Sequence, residues 1–402
     1  MNVAISLCLI LVGLCTITQG HHDGDTHNGT SVAALKLHPS TVHFALELYK
    51  ELSSASPGKN ILFSPIIISA AFSLLSLGAK SATHTQILEG LSFNLTNIQE
   101  KEIHNGLHDL LSALTHSDNE IKLDIGQALF VREQLKLLPE FLDHVNAHYT
   151  ADILPAKFQE PKEAEKQIND YVEKKTHGKI MDLVKDLAPE TALVIISYIL
   201  FQGNWEKPFD PQWTREEDFF VDQNTTVRVP MMQRMGWFHY YFDEELSCVV
   251  VRLDYSGTAK AFFVLPDAGK SEQLEKALSE EVLAKWAEKV QRNTAQVHLP
   301  KFNMSTSYEL KEPLKKLGIT DVFSDHADLS GITDQPLKVS KVTHKAVLAL
   351  DEKGTVAAAA GAVEAMPMSM PPTIRFNHPF LGFIVRNNVV LFAAKIVDPS
   401  ES

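Results

Sequence analysis

The sequence predicts a single α+β domain, and three observations carry that prediction. Segments with helical apolar spacing gather in the first half of the chain, and short runs of branched and apolar residues gather in the second. Helices first and strands later is not the regular alternation of a doubly wound sheet. No Gly/Ser-rich or Pro-rich linker divides the 402 residues, and a 45% hydrophobic content against 22% charged residues suffices for one large core.

The elements follow in order. Ser40 stands where it would cap a helix carrying Phe44, Leu46, Leu48 and Tyr49. Residues 64–78 and 81–91 read as helices with apolar faces, and residues 163–177 as an amphipathic helix stopped by Gly178. Residues 193–201, 248–255, 261–265, 296–302 and 345–350 are rich in the branched and apolar side chains that suit a pleated surface, and read as strands. Residues 380–385 and 389–394 flank Arg386-Asn387-Asn388, the loop of a tight hairpin.

Ahead of the domain, residues 3–17 are apolar and uncharged, too short and too near the start to span a bilayer, and they end in Thr18-Gln19-Gly20. They read as a secretory signal over 1–20 that lacks the usual positive start. A flexible tail over 21–39 and the domain over 40–402 follow. The histidines and aspartates that open the tail imply no rigid geometry, so a solvated tail is expected and no metal.

Cys8 and Cys15 would leave with the signal, and Cys248 would remain alone. An exported chain of this kind must hold together by its core, without an intramolecular disulfide. Sequons at Asn28, Asn94, Asn224 and Asn303 are candidate glycosylation sites, with Asn303 the least favoured because its segment reads as a strand. The formal charge of −13 repels phosphate backbones and anionic membranes. Neither nucleic acid nor, once the signal is removed, a membrane is expected as a partner.

One stretch resists an architectural reading. From 352 to 372 the chain reads EKGTVAAAAGAVEAMPMSMPP, with only Thr, Val, Ala and Gly between 355 and 363. An Ala-rich helix is the competing interpretation, but the run lacks the apolar stripe by which a helix docks. A long exposed loop, small enough in side chain to be buried later within a sheet, fits better. Elsewhere there is no Gly-X-Ser-X-Gly elbow, no His-Glu-X-X-His and no phosphate-cradling glycine loop, which disfavours an enzyme without excluding one, since a triad is a matter of geometry, and no cofactor is expected. His344, beside an apolar strand, reads as a structural residue and not a general base.

Six separated segments then converge. Asn60-Ile61-Leu62-Phe63-Ser64-Pro65, 203–209 (GNWEKPF), 327–331 (ADLSG), 344–347 (HKAV), 376–380 (FNHPF) and 391–399 (LFAAKIVDP) occur in this order. Together with 352–372 they resemble the serpin family, in its alpha-1-antitrypsin-like secreted branch, from about residue 40 to 399. The resemblance implies a single-domain fold with three β-sheets, about eight to nine helices and an exposed reactive-centre loop near 353–372. It implies a secreted, extracellular inhibitor, expected to be monomeric, that traps serine proteases covalently. The alternative within the family is a non-inhibitory carrier of a hormone or small ligand.

By the same resemblance Met368-Ser369 is the scissile bond, with Met366, Pro367 and Met370 setting specificity. Glu352, Gly354, Thr355, Val356, Ala357, Ala358, Ala359 and Ala360 form a hinge that inserts after cleavage. Ser64, Ser197, Trp205, Lys301 and His344 mark the region where the sheet opens, with Glu352 paired to Lys301. Val356 stands where inhibitory relatives usually carry Glu. Ile67 and Ser197 stand where Ser and Asn are usual, which implies a differently arranged hydrogen-bond cluster around Ser64 and His344. Met368 suits an apolar primary pocket, and no Arg or Lys lies between Lys353 and Arg375. Elastase- or chymotrypsin-like enzymes are therefore the expected targets, not trypsin-like ones.

Overall fold

The computed structural model describes residues 32–115, 120–354 and 370–401. The expected signal, Asn28, the hinge from Thr355 to Ala360 and the Met366 to Ser369 segment lie outside them. Helix α1 (Val32–Ala55) starts upstream of the expected cap, so Ser40 lies inside it and the expected flexible tail is ordered from Val32 on. Pro39 within the helix removes a backbone hydrogen bond, and tertiary packing outweighs that loss. Leu37 is buried, Lys36 pairs with Glu102, and the Ala33 carbonyl oxygen lies 2.8 Å from where a Cβ on Gly106 would stand.

The chain then folds β1 (Ile61–Phe63), α2 (Pro65–Ser76), α3 (Ser81–Gly90), α4 (Glu100–Thr115), β2 (Ile121–Arg132), α5 (Pro139–His148), β3 (Asp152–Ala156) and α6 (Pro161–Lys175). Helix α6 ends as the glycine predicts: Gly178 has φ +78° and its N–H donates to the Glu173 carbonyl at 2.8 Å. Strands β4 (Leu193–Gly203), β5 (Arg215–Phe220), β6 (Thr226–Asp243), β7 (Cys248–Asp254) and β8 (Ala259–Pro266) come next. They are followed by α7 (Ser271–Ala277), α8 (Glu280–Lys289), β9 (Gln291–Pro300), β10 (Phe302–Glu309), α9 (Lys311–Lys316) and β11 (Lys341–Leu350). The described chain closes with β12 (Thr373–Arg375), β13 (Phe380–Arg386) and β14 (Val389–Ile396). Asn387 and Asn388 take φ +51° and +64°, the left-handed pair that a two-residue hairpin requires.

Backbone hydrogen bonding joins the described strands into two sheets where three were expected. β6 is the cause: it pairs with β5 and β9 along one part and with β7 along another, merging the two smaller sheets into one of nine strands. The other sheet has five strands in the order β10-β11-β4-β2-β3. Helix α2, buried at every residue, packs against β4 and β2 of one sheet and β14 of the other. On the outer face of the five-stranded sheet, Ala164, Ile168 and Val172 of α6 cover Phe130, Ile196 and Tyr198. At the centre of that sheet β11 and β4 run parallel, from Lys341 opposite Val194 to Leu348 opposite Phe201.

Candidate functional site

The seam between β4 and β11 is held at two levels. At mid-height His344 lies opposite Ser197, fully buried. The Ser64 backbone N–H donates to His344 Nε2 at 3.0 Å, which makes Nε2 the acceptor and leaves the proton on Nδ1. Nδ1–H therefore donates to Ser197 Oγ at 2.8 Å. Burial pushes the imidazole down to about 3, so the ring is neutral and bridges β11, β4 and the start of α2. Ser64 takes part through its backbone and not its hydroxyl, and Ile67 is fully buried. The cluster thus rests on one side-chain hydroxyl, that of Ser197, and one backbone N–H, that of Ser64.

The upper level lies seven residues further along β11, about 23 Å at the rise of an extended strand. Asp351 to Gly354 form a turn in which Asp351 N–H donates to the Gly354 carbonyl at 2.9 Å and Gly354 N–H to the Asp351 carbonyl at 3.2 Å. Gly354 then makes an antiparallel bridge to Asn204, just beyond the end of β4. Only glycine fits there. Its φ is +113°, and a Cβ would stand 2.3 Å from the Gly203 carbonyl oxygen and 2.6 Å from the Trp205 nitrogen. Trp205 is buried and fixes the turn twice, its backbone N–H donating to the Lys353 carbonyl at 2.8 Å and its indole Nε1–H to the Asp351 carbonyl at 3.0 Å. Its ring stacks on Tyr255 with centroids 4.2 Å apart.

Glu352 pairs with Lys301 as expected, at 3.0 Å through Oε2, while Thr214 Oγ1 donates to Oε1 at 2.8 Å. The Phe209 N–H donates to the Glu352 carbonyl at 2.7 Å. Burial works to raise the Glu352 carboxyl, but the Lys301 ammonium and the Thr214 hydroxyl outweigh it and hold the group below its ordinary range. The pair therefore ties the turn to the junction of β9 and β10.

The structure thus gathers the predicted residues into two groups, Ser64, Ser197 and His344 at mid-seam and Trp205, Lys301, Glu352 and Gly354 at its top. Thr214 and Asp351 complete the upper group and carry no periodicity or spacing signal, being single polar residues; Phe209 and Gly203 enter the sequence reading only within the 203–209 segment. Met370 is exposed where the described chain resumes. Asn94 and Asn224 are exposed in loops; Asn303 lies in β10 as its segment predicts, yet β10 is an edge strand and the side chain is exposed. Cys248 is buried, and burial pushes its thiol up to about 12, which disfavours the thiolate.

The protein-family model described as "Serpin (serine protease inhibitor)" matches residues 39–399. Alpha-1-antiproteinase 2 of Equus caballus is 48% identical over 420 aligned positions that cover 100% of both chains. Alpha-1-antitrypsin of Sus scrofa is 47% identical over 406 positions, 98% of this chain and 96% of that one. Among solved structures, human thyroxine-binding globulin is similar with a TM-score of 0.88 and 40% identity, covering 92% of this chain and 100% of its own.

Proposed function

This chain belongs to the serpin family and is a serine protease inhibitor, and we propose that it works by offering Met368-Ser369 as bait and trapping the acyl-enzyme. The protease serine attacks the Met368 carbonyl, an ester forms, and Ser369 leaves as a free amine. The loop from Gly354 then inserts between β4 and β11.

The observation that supports this most is the turn at Asp351 to Gly354. β4 and β11 are parallel, so a strand entering between them antiparallel to both would be hydrogen-bonded on each side. The turn has already reversed the chain, and the Gly354 bridge to Asn204 is antiparallel. Gly354 to Met368 spans fifteen residues, roughly 50 Å when extended. β11 has 10 residues and β4 has 11, so an inserted loop outruns the strands beside it and carries Met368 past the far end of the sheet. A protease dragged there loses the catalytic geometry that hydrolysis of the ester requires. The small residues from Thr355 to Ala360 suit this, because they enter a packed sheet without overfilling it.

The proposed targets are elastase- or chymotrypsin-like enzymes, because Met368 fills an apolar pocket and Pro367 presents an extended backbone. The inhibitor is proposed to act as a secreted, glycosylated monomer, with the signal over 1–20 removed. Asn94, Asn224 and Asn303 are exposed, which suits modification there.

The similarity to thyroxine-binding globulin favours a second reading, a carrier whose loop is cleaved without trapping. Incubation of the full chain with pancreatic elastase, followed by denaturing electrophoresis, separates the two. A covalent complex ending at Met368 is the expected result; cleavage at that bond with no complex would replace the inhibitor by the carrier.

A further inference from the structure

The five-stranded sheet has two edges, and they are protected unequally. β3, at one edge, has five residues and carries Pro155, which offers no N–H to a further strand; the Gln167 side chain of α6 donates to the Pro155 carbonyl at 2.9 Å. β10, at the other edge, has eight residues paired with β11 in unbroken register, from Phe302 opposite Leu350 to Glu309 opposite Thr343. It contains no proline, lysine or bulge. Its single charged residue, Glu309, turns its carboxylate back to the N–H groups of Lys311 and Val342, at 3.0 and 3.3 Å.

The two ends of β10 show which of its backbone groups face outward. Leu310 N–H donates to the Val342 carbonyl at 2.9 Å, so the even-numbered residues of the strand direct their backbone groups at β11 and the odd-numbered ones away from it. Lys301, also odd, already has its N–H on the Pro230 carbonyl of β6 at 2.9 Å. Beyond it the edge is open: among the described residues, no hydrogen bond reaches the outward backbone groups of Asn303, Ser305 or Ser307. Those three side chains are exposed, while Phe302 and Met304 are buried on the opposite face. An edge this long, in unbroken register and without charge along its middle, is a template for a strand of another molecule.

The protection that β10 does carry is a modification signal. Asn303-Met304-Ser305 is a sequon, and its asparagine stands at the first open position of the edge with its side chain exposed. A partner strand would lie about 4.8 Å from β10, and a bulky, solvated oligosaccharide at that place excludes it.

We propose that Asn303 carries an N-linked glycan which shields the open edge of β10 from pairing with a second copy of this chain. The proposal rests on the secreted, glycosylated reading above. In the transfer, the Asn303 amide nitrogen bonds to the anomeric carbon of an oligosaccharide carried on a lipid diphosphate. The diphosphate leaves with the electron pair of the sugar–oxygen bond, and the amide gives up one proton. The glycan then does for β10 what Pro155 and the Gln167 amide do for β3. It leaves the seam between β4 and β11 unobstructed, because β10 lies on the far side of β11 from β4.

The test uses the full chain secreted from cultured mammalian cells, as wild type and as Asn303→Gln, Ser305→Ala and Ser305→Lys, all at exposed positions. Each substitution removes the sequon, and the last sets a charge on the edge in place of the sugar. Peptide mass spectrometry first reads occupancy at Asn303, and size-exclusion chromatography then follows the loss of monomer on warming. Expected is a glycan at Asn303 in the wild type and a near-wild-type rate of monomer loss in Ser305→Lys. In Asn303→Gln and Ser305→Ala the loss should be about 5-fold faster, the change that ~1 kcal/mol in the pairing step produces. Enzymatic removal of the sugars from the folded wild type repeats the comparison without a substitution and should speed the loss likewise. Complex formation with elastase should be the same in every variant, so failure here is separate from failure of the inhibitory reading. A bare Asn303 overturns glycosylation at this site and the proposal with it. A glycan whose loss leaves the rate unchanged overturns the shielding role alone, as does monomer loss in Ser305→Lys as fast as in Ser305→Ala.

Discussion

Replacing Gly354 by alanine tests whether the turn at the top of the seam holds the native state together. The backbone there has φ +113°, which costs a side-chain-bearing residue about 1–2 kcal/mol. The new Cβ would also stand 2.3 Å from the Gly203 carbonyl oxygen and 2.6 Å from the Trp205 nitrogen, two backbone atoms that no rotamer change can move aside. Relieving that contact separates the turn from the end of β4. It puts at risk the hydrogen bond from Trp205 to Lys353 and the two between Asp351 and Gly354, each worth about 1 kcal/mol.

The total is roughly 3–5 kcal/mol. For a domain of this size each kcal/mol moves a thermal midpoint by about 1 °C, by the usual unfolding entropy per residue. Gly354→Ala should thus lower the midpoint followed by circular dichroism by ~3–5 °C. It should also speed the loss of monomer on prolonged warming, followed by size-exclusion chromatography, because the seam below the turn is freer to accept a strand. A midpoint within about 1 °C of the wild type, with unchanged monomer content, would refute the assignment of this turn as the upper lock.

Three further outcomes are expected. Glu352→Lys sets a second ammonium against Lys301 and removes the acceptor of the Thr214 hydroxyl, a loss of at least about 2 kcal/mol after allowing for the exposure of Lys301; monomer content should fall on warming, and an undiminished monomer peak would count against it. Thr355→Arg forces a charge into the sheet as insertion begins, so the chain should be cleaved by elastase without forming the SDS-stable complex, and wild-type complex yield would sink the insertion mechanism. His344 titrates near 3 when folded against about 6.5 when unfolded, so between those values the unfolded chain holds more protons and stability falls as pH is lowered, by up to ~1.4 kcal/mol per pH unit. His344→Gln should flatten that acid limb in a plot of midpoint against pH, and an identical slope in both proteins would remove His344 as its source.

Legibility in the sequence followed the kind of force that makes each element. Strands β4 and β11 and helix α2 were readable because dense apolar runs are themselves the reason these segments are buried. The hairpin at Asn387 and Asn388 was readable because its turn chemistry is local. The start of α1 was not, since contacts with α4 keep the residues before Pro39 helical, and a contact across more than sixty residues leaves no local mark. The merging of two sheets escaped for the same reason: β6 alternates imperfectly and changes partner along its length, which no single period describes. In the site, the Glu352–Lys301 pair was reached by resemblance. Thr214 and Asp351 were reached only in three dimensions, because their roles belong to one backbone reversal.

The two levels of the seam have different physical characters, and that difference bears on how an inserting loop would proceed. The upper lock is made of exchangeable parts: backbone hydrogen bonds at a turn and an ion pair whose lysine is 44% exposed, so water can replace much of what is lost when it opens. The lower lock is a neutral imidazole with no exposure, and separating it from Ser197 leaves buried polar atoms unpaired until a new partner arrives, at about 1–3 kcal/mol for each. An inserting strand brings its own backbone N–H and C=O groups to that level. Opening from the top therefore has a cost of a few kcal/mol that water partly offsets, while passage of His344 becomes favourable only with a strand already in place. That order gives a native state which stays closed on its own and yields to a tethered, cleaved loop.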